Sequence, residues 1–235
     1  MPRLQTPETS IDYKVRRSKR ASRARIKIGI KTVEVVIPEK SGIQPEKLLT
    51  KNIDWVKRKR KEFEEYKEKI PKRKFEEGEK ISFLGNKREI KIEKQNSHEL
   101  TETSLIISER YIGEKEIRQK VREILRREAK KAIKEKVKDL SEKVNKVYIR
   151  DQKTKWGSCS SKNNLSFNWR ICLGPEKVVD YIVAHEIAHL ENKKHDEKFW
   201  NSVKEILPDY REGYEWLENN SHRLVFSRED YLDKR

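Results

Sequence analysis

Alternating apolar and polar residues occupy much of the first half of the chain, and this pattern predicts β-strands. The alternation runs over residues 26–30 and again over residues 33–37, where Pro38 ends it. Residues 48–70 show the wider apolar spacing of an amphipathic helix instead. The chain is therefore expected to begin with strands and to continue into a helix.

Gly85 and Asn86 stand between two short apolar runs, at residues 81–84 and 90–92. Glycine and asparagine tolerate the backbone angles of a tight turn, so this arrangement predicts a β-hairpin. Residues 105–107 predict one further strand.

From Glu114 the apolar residues recur at steps of three and four as far as Val144. This spacing predicts one long amphipathic helix with a solvated, charged outer face. Residues 147–150 and 165–170 then have the character of strands. Gly174-Pro175-Glu176 starts another helix, because proline is accepted in the first turn.

The helix that starts at Gly174-Pro175-Glu176 contains His185, Glu186 and His189. Residues four apart share one face of a helix, so both imidazoles can reach a single metal ion. Glu186 lies beside them and can contact a water molecule without ligating the metal. This is the His-Glu-x-x-His pattern of zinc hydrolases, with two nitrogen ligands and a carboxylate base.

A catalytic zinc needs a third protein ligand and an open position, and His195 is the candidate for the third ligand. The chain must turn sharply after His189, and Asn192 is expected to make that turn in the left-handed conformation. Asp196 can cap the following helix. Metzincins share this spacing, but they carry glycine where Asn192 stands and a later methionine, whereas Met1 is the only methionine here.

Composition narrows the class of protein. The 235 residues contain 34% hydrophobic residues, enough for one large domain or two small ones. No apolar run is long enough to span a membrane, and the first residues do not resemble a secretion signal. Two cysteines cannot form a disulfide framework. A cytoplasmic protein is therefore expected.

The net charge of +17 is concentrated near the N-terminus. Nine basic residues and no acidic residue lie between Tyr13 and Val33. Such a segment can neutralise phosphates and bind nucleic acid, although it lacks interleaved aromatic residues. A solvated, charged N-terminus is the simpler interpretation.

Two motifs carry a family resemblance: Trp156-Gly157-Ser158-Cys159, and the three-histidine pattern that ends at His195 and is followed by Phe199-Trp200. In these the chain resembles the YgjP-like metal-dependent hydrolases, a zincin group related to SprT-like and Wss-like proteases. The resemblance extends over roughly residues 18–224 and is strongest over residues 150–200.

The resemblance implies that His185, His189 and His195 bind Zn²⁺ and that Glu186 is the general base. It also implies a cytoplasmic enzyme. In zincins a strand lies beside the metal helix and its edge can pair with an extended substrate, so a peptide or protein substrate is expected. For Cys159, a nucleophile, a fourth ligand and a packed thiol are all conceivable. The packed or indirect role is favoured, because the histidines are committed to metal.

The expected fold class is α+β. A basic, flexible segment at residues 1–20 and a mostly-β region at residues 21–113 would pack on a zincin-like catalytic domain of helices and antiparallel strands at residues 114–235. The expected function is a zinc metallopeptidase. The alternatives are hydrolysis of a non-peptide anionic substrate such as a nucleotide, or a nucleic-acid-associated protein with a zinc site. The sequence does not indicate an oligomeric state.

Overall fold

Blocks of strands and helices follow one another along the chain in two separately packed units. The computed structural model describes residues 1–228 with the exception of residues 8, 30, 31, 112 and 153. Ile30, at the end of a predicted strand, and Lys31, in the basic segment, lie outside the described residues. One unit comprises residues 1–70 and the chain from residue 227, and the other comprises residues 71–226.

The first unit is built on a four-stranded sheet in the order β1-β2-β4-β3. β2 and β4 are parallel, and the outer strands β1 and β3 run antiparallel to their neighbours. The strands are β1 (Arg3–Thr6), β2 (Thr9–Ser18), β3 (Arg25–Ile28) and β4 (Val33–Pro38).

Two helices, α1 (Pro45–Lys51) and α2 (Ile53–Lys69), complete this unit. They bury Leu49 and Val56 in one cluster with the apolar residues of the sheet. The single helix predicted over residues 48–70 is interrupted at Asn52, whose side-chain amide donates to the carbonyl of Leu48 at 2.8 Å. Asparagine competes in this way with the helical backbone.

The second unit begins with a sheet of the same strand order and directions, β5-β6-β8-β7. The predicted hairpin is confirmed, but its turn lies one residue earlier than expected. Leu84 and Gly85 form the turn with φ of 50° and 84°, and Asn86 is already in the strand. The strands are β5 (Lys80–Phe83), β6 (Asn86–Glu93), β7 (Glu99–Leu100) and β8 (Ser104–Ser108).

The long helix predicted from Glu114 is confirmed as α3 (Glu114–Leu140). A three-stranded sheet follows in the order β10-β11-β9. β10 pairs antiparallel with β11, whereas β9 is parallel to β11, so the strands of this region are not all antiparallel as expected. The remaining elements are β9 (Lys146–Arg150), β10 (Gly157–Cys159), β11 (Asn164–Asn168), α4 (Glu176–Ala188), α5 (Glu197–Ile206) and α6 (Tyr210–Asn220), with 3-10 helices at Trp169–Leu173 and Ser221–Leu224.

The α+β class is confirmed, whereas the units have other bounds than the predicted regions 1–20, 21–113 and 114–235. One apolar cluster contains residues of β5, β6, β8, α3 and α4. The chain therefore does not divide at residue 113. Most of residues 1–20, expected to be flexible, lie in β1 and β2. None of the described helices combines the length and apolar character that a bilayer crossing needs.

Candidate metal centre

The apolar face of α4 fixes the position of the predicted site. Val178, Val179 and Val183 are fully buried in the core of the second unit. On the outside, Lys136 of α3 pairs with Glu176 at 2.7 Å and with Asp180 at 2.5 Å. The helix is thus held along its first turns, and its last turn carries the candidate chemistry.

The structure brings His185, His189 and His195 together. One ring nitrogen of each lies within 4.8 Å of the corresponding nitrogens of the other two. The Nε2 atoms of His185 and His195 are 3.1 Å apart. The ring of Phe199 packs against all three imidazoles at centroid distances of 4.6 to 4.9 Å. The three histidines therefore share one apolar neighbour.

Two of the rings are oriented by hydrogen bonds at Nδ1. His189 Nδ1 donates to the backbone carbonyl of Asn192 at 2.8 Å. A carbonyl only accepts, so the proton of this imidazole is on Nδ1 and the lone pair is on Nε2. Tyr181 Oη lies 3.3 Å from His185 Nδ1. In both rings Nε2 is left available for a metal ion.

A short loop between α4 and α5 carries His195 to the cluster. As predicted, Asp196 caps α5, and its Oδ1 accepts from the backbone N–H of Phe199 at 3.2 Å. The expected left-handed conformation of Asn192 is wrong, because the described non-glycine residues with positive φ are found elsewhere. Asn192 instead turns the chain through hydrogen bonds: its N–H donates to the Ala188 carbonyl, and its amide donates to Ser202 Oγ at 2.9 Å.

Glu186 is 5% exposed and lies against Gly157 of β10. Its Oε2 is buried and has no hydrogen-bond partner among the described residues. Burial raises the pKa of Glu186 to about 7, against the opposing charges of Lys155 and Lys193. A buried carboxyl with an unused oxygen and a raised pKa is suited to accept a proton.

The donor set fits a divalent metal ion. Burial, with smaller effects from His189 and His195, lowers the pKa of His185 to about 4, so this imidazole is neutral at pH 7. Burial also lowers the pKa of His189. Three imidazoles without a fourth protein ligand are the donor set of a catalytic zinc site. Within the described part of the chain, no carboxylate or thiol belongs to this ligand group.

A family model described as YgjP-like, metallopeptidase domain, matches residues 22–220. The chain belongs to the YgjP-like family. The assignment makes it a metal-dependent protease by class and confirms the resemblance seen in the sequence. The match includes both the motif around Gly157 and the three histidines.

Other comparisons add little to the YgjP-like assignment. No curated protein shows significant sequence similarity to the chain. Among solved structures, the metallopeptidase zymogen of Pyrococcus abyssi abylysin is 24% identical, with a TM-score of 0.33. The alignment covers 40% of this chain and 95% of that one.

Sequence reasoning missed Tyr181 and the contact between Gly157 and Glu186. Tyr181 precedes His185 by four residues, so the helical spacing that linked the histidines also places it on their face. Cys172 is buried in the core of the second unit. Cys159 Sγ lies 3.4 Å from Lys193 Nζ and outside the ligand group, which is compatible with the favoured indirect role.

Proposed function

We propose that this YgjP-like protein is a zinc peptidase in which His185, His189 and His195 hold the ion and Glu186 is the general base. The observation that supports this most directly is the convergence of three ring nitrogens within 4.8 Å beside a buried carboxylate. The substrate would be a peptide or protein. The cytoplasmic location expected from the sequence stays a prediction.

When bound, zinc supplies Lewis acidity that polarises the scissile carbonyl and lowers the pKa of water. Glu186 takes the proton of the attacking water on Oε2, which has no hydrogen-bond partner in the described part of the chain, and delivers it to the leaving amine. Tyr181 and the carbonyl of Asn192 hold the imidazoles in place. Gly157 faces the carboxylate of Glu186 from β10.

The metal ligands are tested by the metal content of the purified protein. We expect about one zinc per chain in the wild type and a large loss in His195→Ala. His98→Ala is the matched control, because His98 accepts a hydrogen bond from Ser108 N–H away from the cluster. A wild type that binds no zinc even after reconstitution would refute the proposal.

The base is tested with Glu186→Gln, which keeps the size of the side chain and removes its ability to take a proton. Peptide hydrolysis should fall by about 10²- to 10⁴-fold while zinc stays bound. Glu191→Gln is the control, since the exposed Glu191 pairs with Lys143 on the surface. Full activity of Glu186→Gln would show that another group is the base. Hydrolysis of nucleotides but not peptides would favour the anionic-substrate alternative.

A second proposal concerns nucleic acid. The strand register of the first unit places five cations and two acids on the face of the sheet opposite α1 and α2. Arg3 pairs with Asp12 and Arg16 with Glu34, so the cations exceed the acids by three. The charged residues of this face are Arg3, Asp12, Lys14, Arg16, Arg25, Lys27 and Glu34. We propose that it binds the phosphates of nucleic acid.

Deletion of residues 1–20 is a poor test, because it would remove β1 and β2 from the sheet. The triple variant Lys14→Gln, Arg25→Gln, Lys27→Gln leaves the strands in place and should weaken binding to a DNA duplex and reduce its salt dependence. The control variant, Lys130→Gln, Lys134→Gln, Lys138→Gln, removes the same charge from the exposed side of α3. Equal losses in both variants would mean that only the net charge matters.

A further inference from the structure

Gly157 lies where β10 passes the last turn of α4. It pairs with Phe167 in β11. The start of β10 is fixed by Asn168, whose backbone N–H donates to the carbonyl of Trp156 at 2.8 Å and whose side-chain amide donates to that of Gln152 at 2.8 Å. Asn168 is itself buried. The backbone at Gly157 is therefore held firmly in front of the helix.

The backbone conformation does not require glycine at this position. The glycines with φ in the left-handed region are Gly78 and Gly85, and Gly157 is not among them. Any L-residue could adopt the strand geometry, and glycine in a strand has an entropic cost. A reason for glycine must come from its surroundings.

The side chain of Glu186 provides that reason. A Cβ on Gly157 would lie 2.4 Å from Oε1 of Glu186, 2.6 Å from its Cγ and 2.8 Å from its Cδ. All three distances are far below van der Waals contact. Because Glu186 is buried, its side chain cannot swing freely into solvent. A methyl group at this position would displace the carboxylate or separate β10 from α4.

We propose that Gly157 is a positioning residue for Glu186. The absent side chain leaves the space in which the carboxylate rests, one residue along α4 from His185. Gly157 acts through Glu186 and needs no contact with substrate. The inference deepens the proposed function, because it rests on Glu186 as the base.

The first test is Gly157→Ala with peptide hydrolysis and zinc content measured together. A misplacement of about 1 Å in a catalytic group can reduce the rate by about 10²-fold. We expect kcat to fall by about that factor, with KM and zinc content close to wild type. Gly42→Ala is the control, because a Cβ there has nothing within 4 Å. Wild-type kcat in Gly157→Ala would overturn the proposal.

A second test separates positioning from a purely structural role. In the proposed arrangement Gly157→Ala lowers the midpoint of thermal unfolding when Glu186 is present and has little effect in a Glu186→Ala background, where the space is empty. An equal drop in both backgrounds would show that the methyl group clashes with something other than Glu186, and the proposal would fail. This measurement needs no activity. It therefore stays informative if Glu186→Gln proves active and the assignment of the base is wrong.

Discussion

At the scale of single residues, hydrogen bonds at Nδ1 orient two of the three imidazoles, those of His185 and His189. The carbonyl of Asn192 fixes the tautomer of His189. At His185 the contact at Nδ1 is made by the hydroxyl of Tyr181, a residue that is 5% exposed. Partners of this kind orient metal ligands and contribute substantially to affinity.

Tyr181→Phe removes this hydrogen bond and keeps the ring that packs against Tyr210 and Tyr214. We expect zinc affinity to fall by about 10- to 100-fold, with little change in thermal stability of the metal-free protein. Competition with a chelator of known affinity measures the change. Tyr214→Phe is the matched control, because the half-exposed Tyr214 contacts the Tyr181 ring edge-on. Equal affinities of both variants would mean that the hydroxyl of Tyr181 does not support His185.

The sequence was sufficient to find the histidines, because their spacing is a local property of one helix and the loop after it. It failed at Asn192, where propensity for the left-handed conformation suggested one kind of turn and hydrogen bonds made another. The contact of Gly157 with Glu186 joins residues 29 positions apart. No local pattern reports such a contact, so the fold was needed to see it.

At the scale of elements, α4 is held in close contact with α6 by a glycine. A Cβ on Gly213 would lie 2.3 Å from the carbonyl oxygen of Lys177 and 2.6 Å from Cβ of Tyr181. The two helices therefore approach to a distance that only glycine permits. Since Tyr181 contacts His185, this packing also affects the candidate metal centre.

For Gly213→Ala, helix propensity predicts a more stable protein and packing predicts a less stable one. Alanine is favoured over glycine within a helix by about 1 kcal/mol. Overpacking against the backbone of α4 typically costs about 1–3 kcal/mol and should dominate here, because the clash is with backbone. We expect lower stability in denaturant unfolding, with Gly42→Ala close to wild type. A more stable Gly213→Ala would show that the helices separate readily.

The start of α5 offers a second prediction at this scale. Asp196→Ala removes the cap bond to Phe199 N–H and should reduce the free energy of unfolding by about 1 kcal/mol. Asp209→Ala is the matched control, since Asp209 precedes α6 without a side-chain cap bond. Urea unfolding of both variants measures the difference. Similar losses would mean that the cap does not stabilise α5.

Periodicity predicted α3 and several strands, and it missed β1, β2 and β10. The 27 residues of α3 repeat the apolar spacing many times, whereas β10 has three residues and cannot show a period. The strands β1 and β2 were missed because charged residues conceal their alternation. β1 is stabilised by pairing with β2, β2 also pairs with β4, and apolar residues of both strands pack with the helices on the inner face.

At the scale of the whole molecule, the two four-stranded sheets share strand order and directions without a repeat that is visible in the sequence. In each, the second and fourth strands are parallel and the first and third are antiparallel to their neighbours. Topology is set by non-local pairing, so the same arrangement can be encoded by different residues. For the same reason the bounds of the two units could not be predicted from local composition.

The net charge of +17 leads to a prediction for the whole chain. Repulsion between like charges opposes the compact state, and salt screens it. The exposed ion pairs are weakened by salt as well, but each contributes only about 0–1 kcal/mol. The repulsion from the excess of cations should therefore outweigh the contribution of the ion pairs to stability. We expect the midpoint of thermal unfolding to rise as sodium chloride increases from about 0.01 M, where the Debye length is about 30 Å, to about 0.15 M, where it is about 8 Å.

The variant Lys130→Gln, Lys134→Gln, Lys138→Gln carries three fewer positive charges, which leaves +14 from the original +17. These lysines lie on one exposed side of α3, where like charges four residues apart repel each other. We expect the variant to be more stable than the wild type at low salt and to gain less from added salt. A midpoint that falls with salt in both proteins would show that attractive ion pairs outweigh the repulsion. The charge excess would then bear on binding partners and not on the stability of the fold.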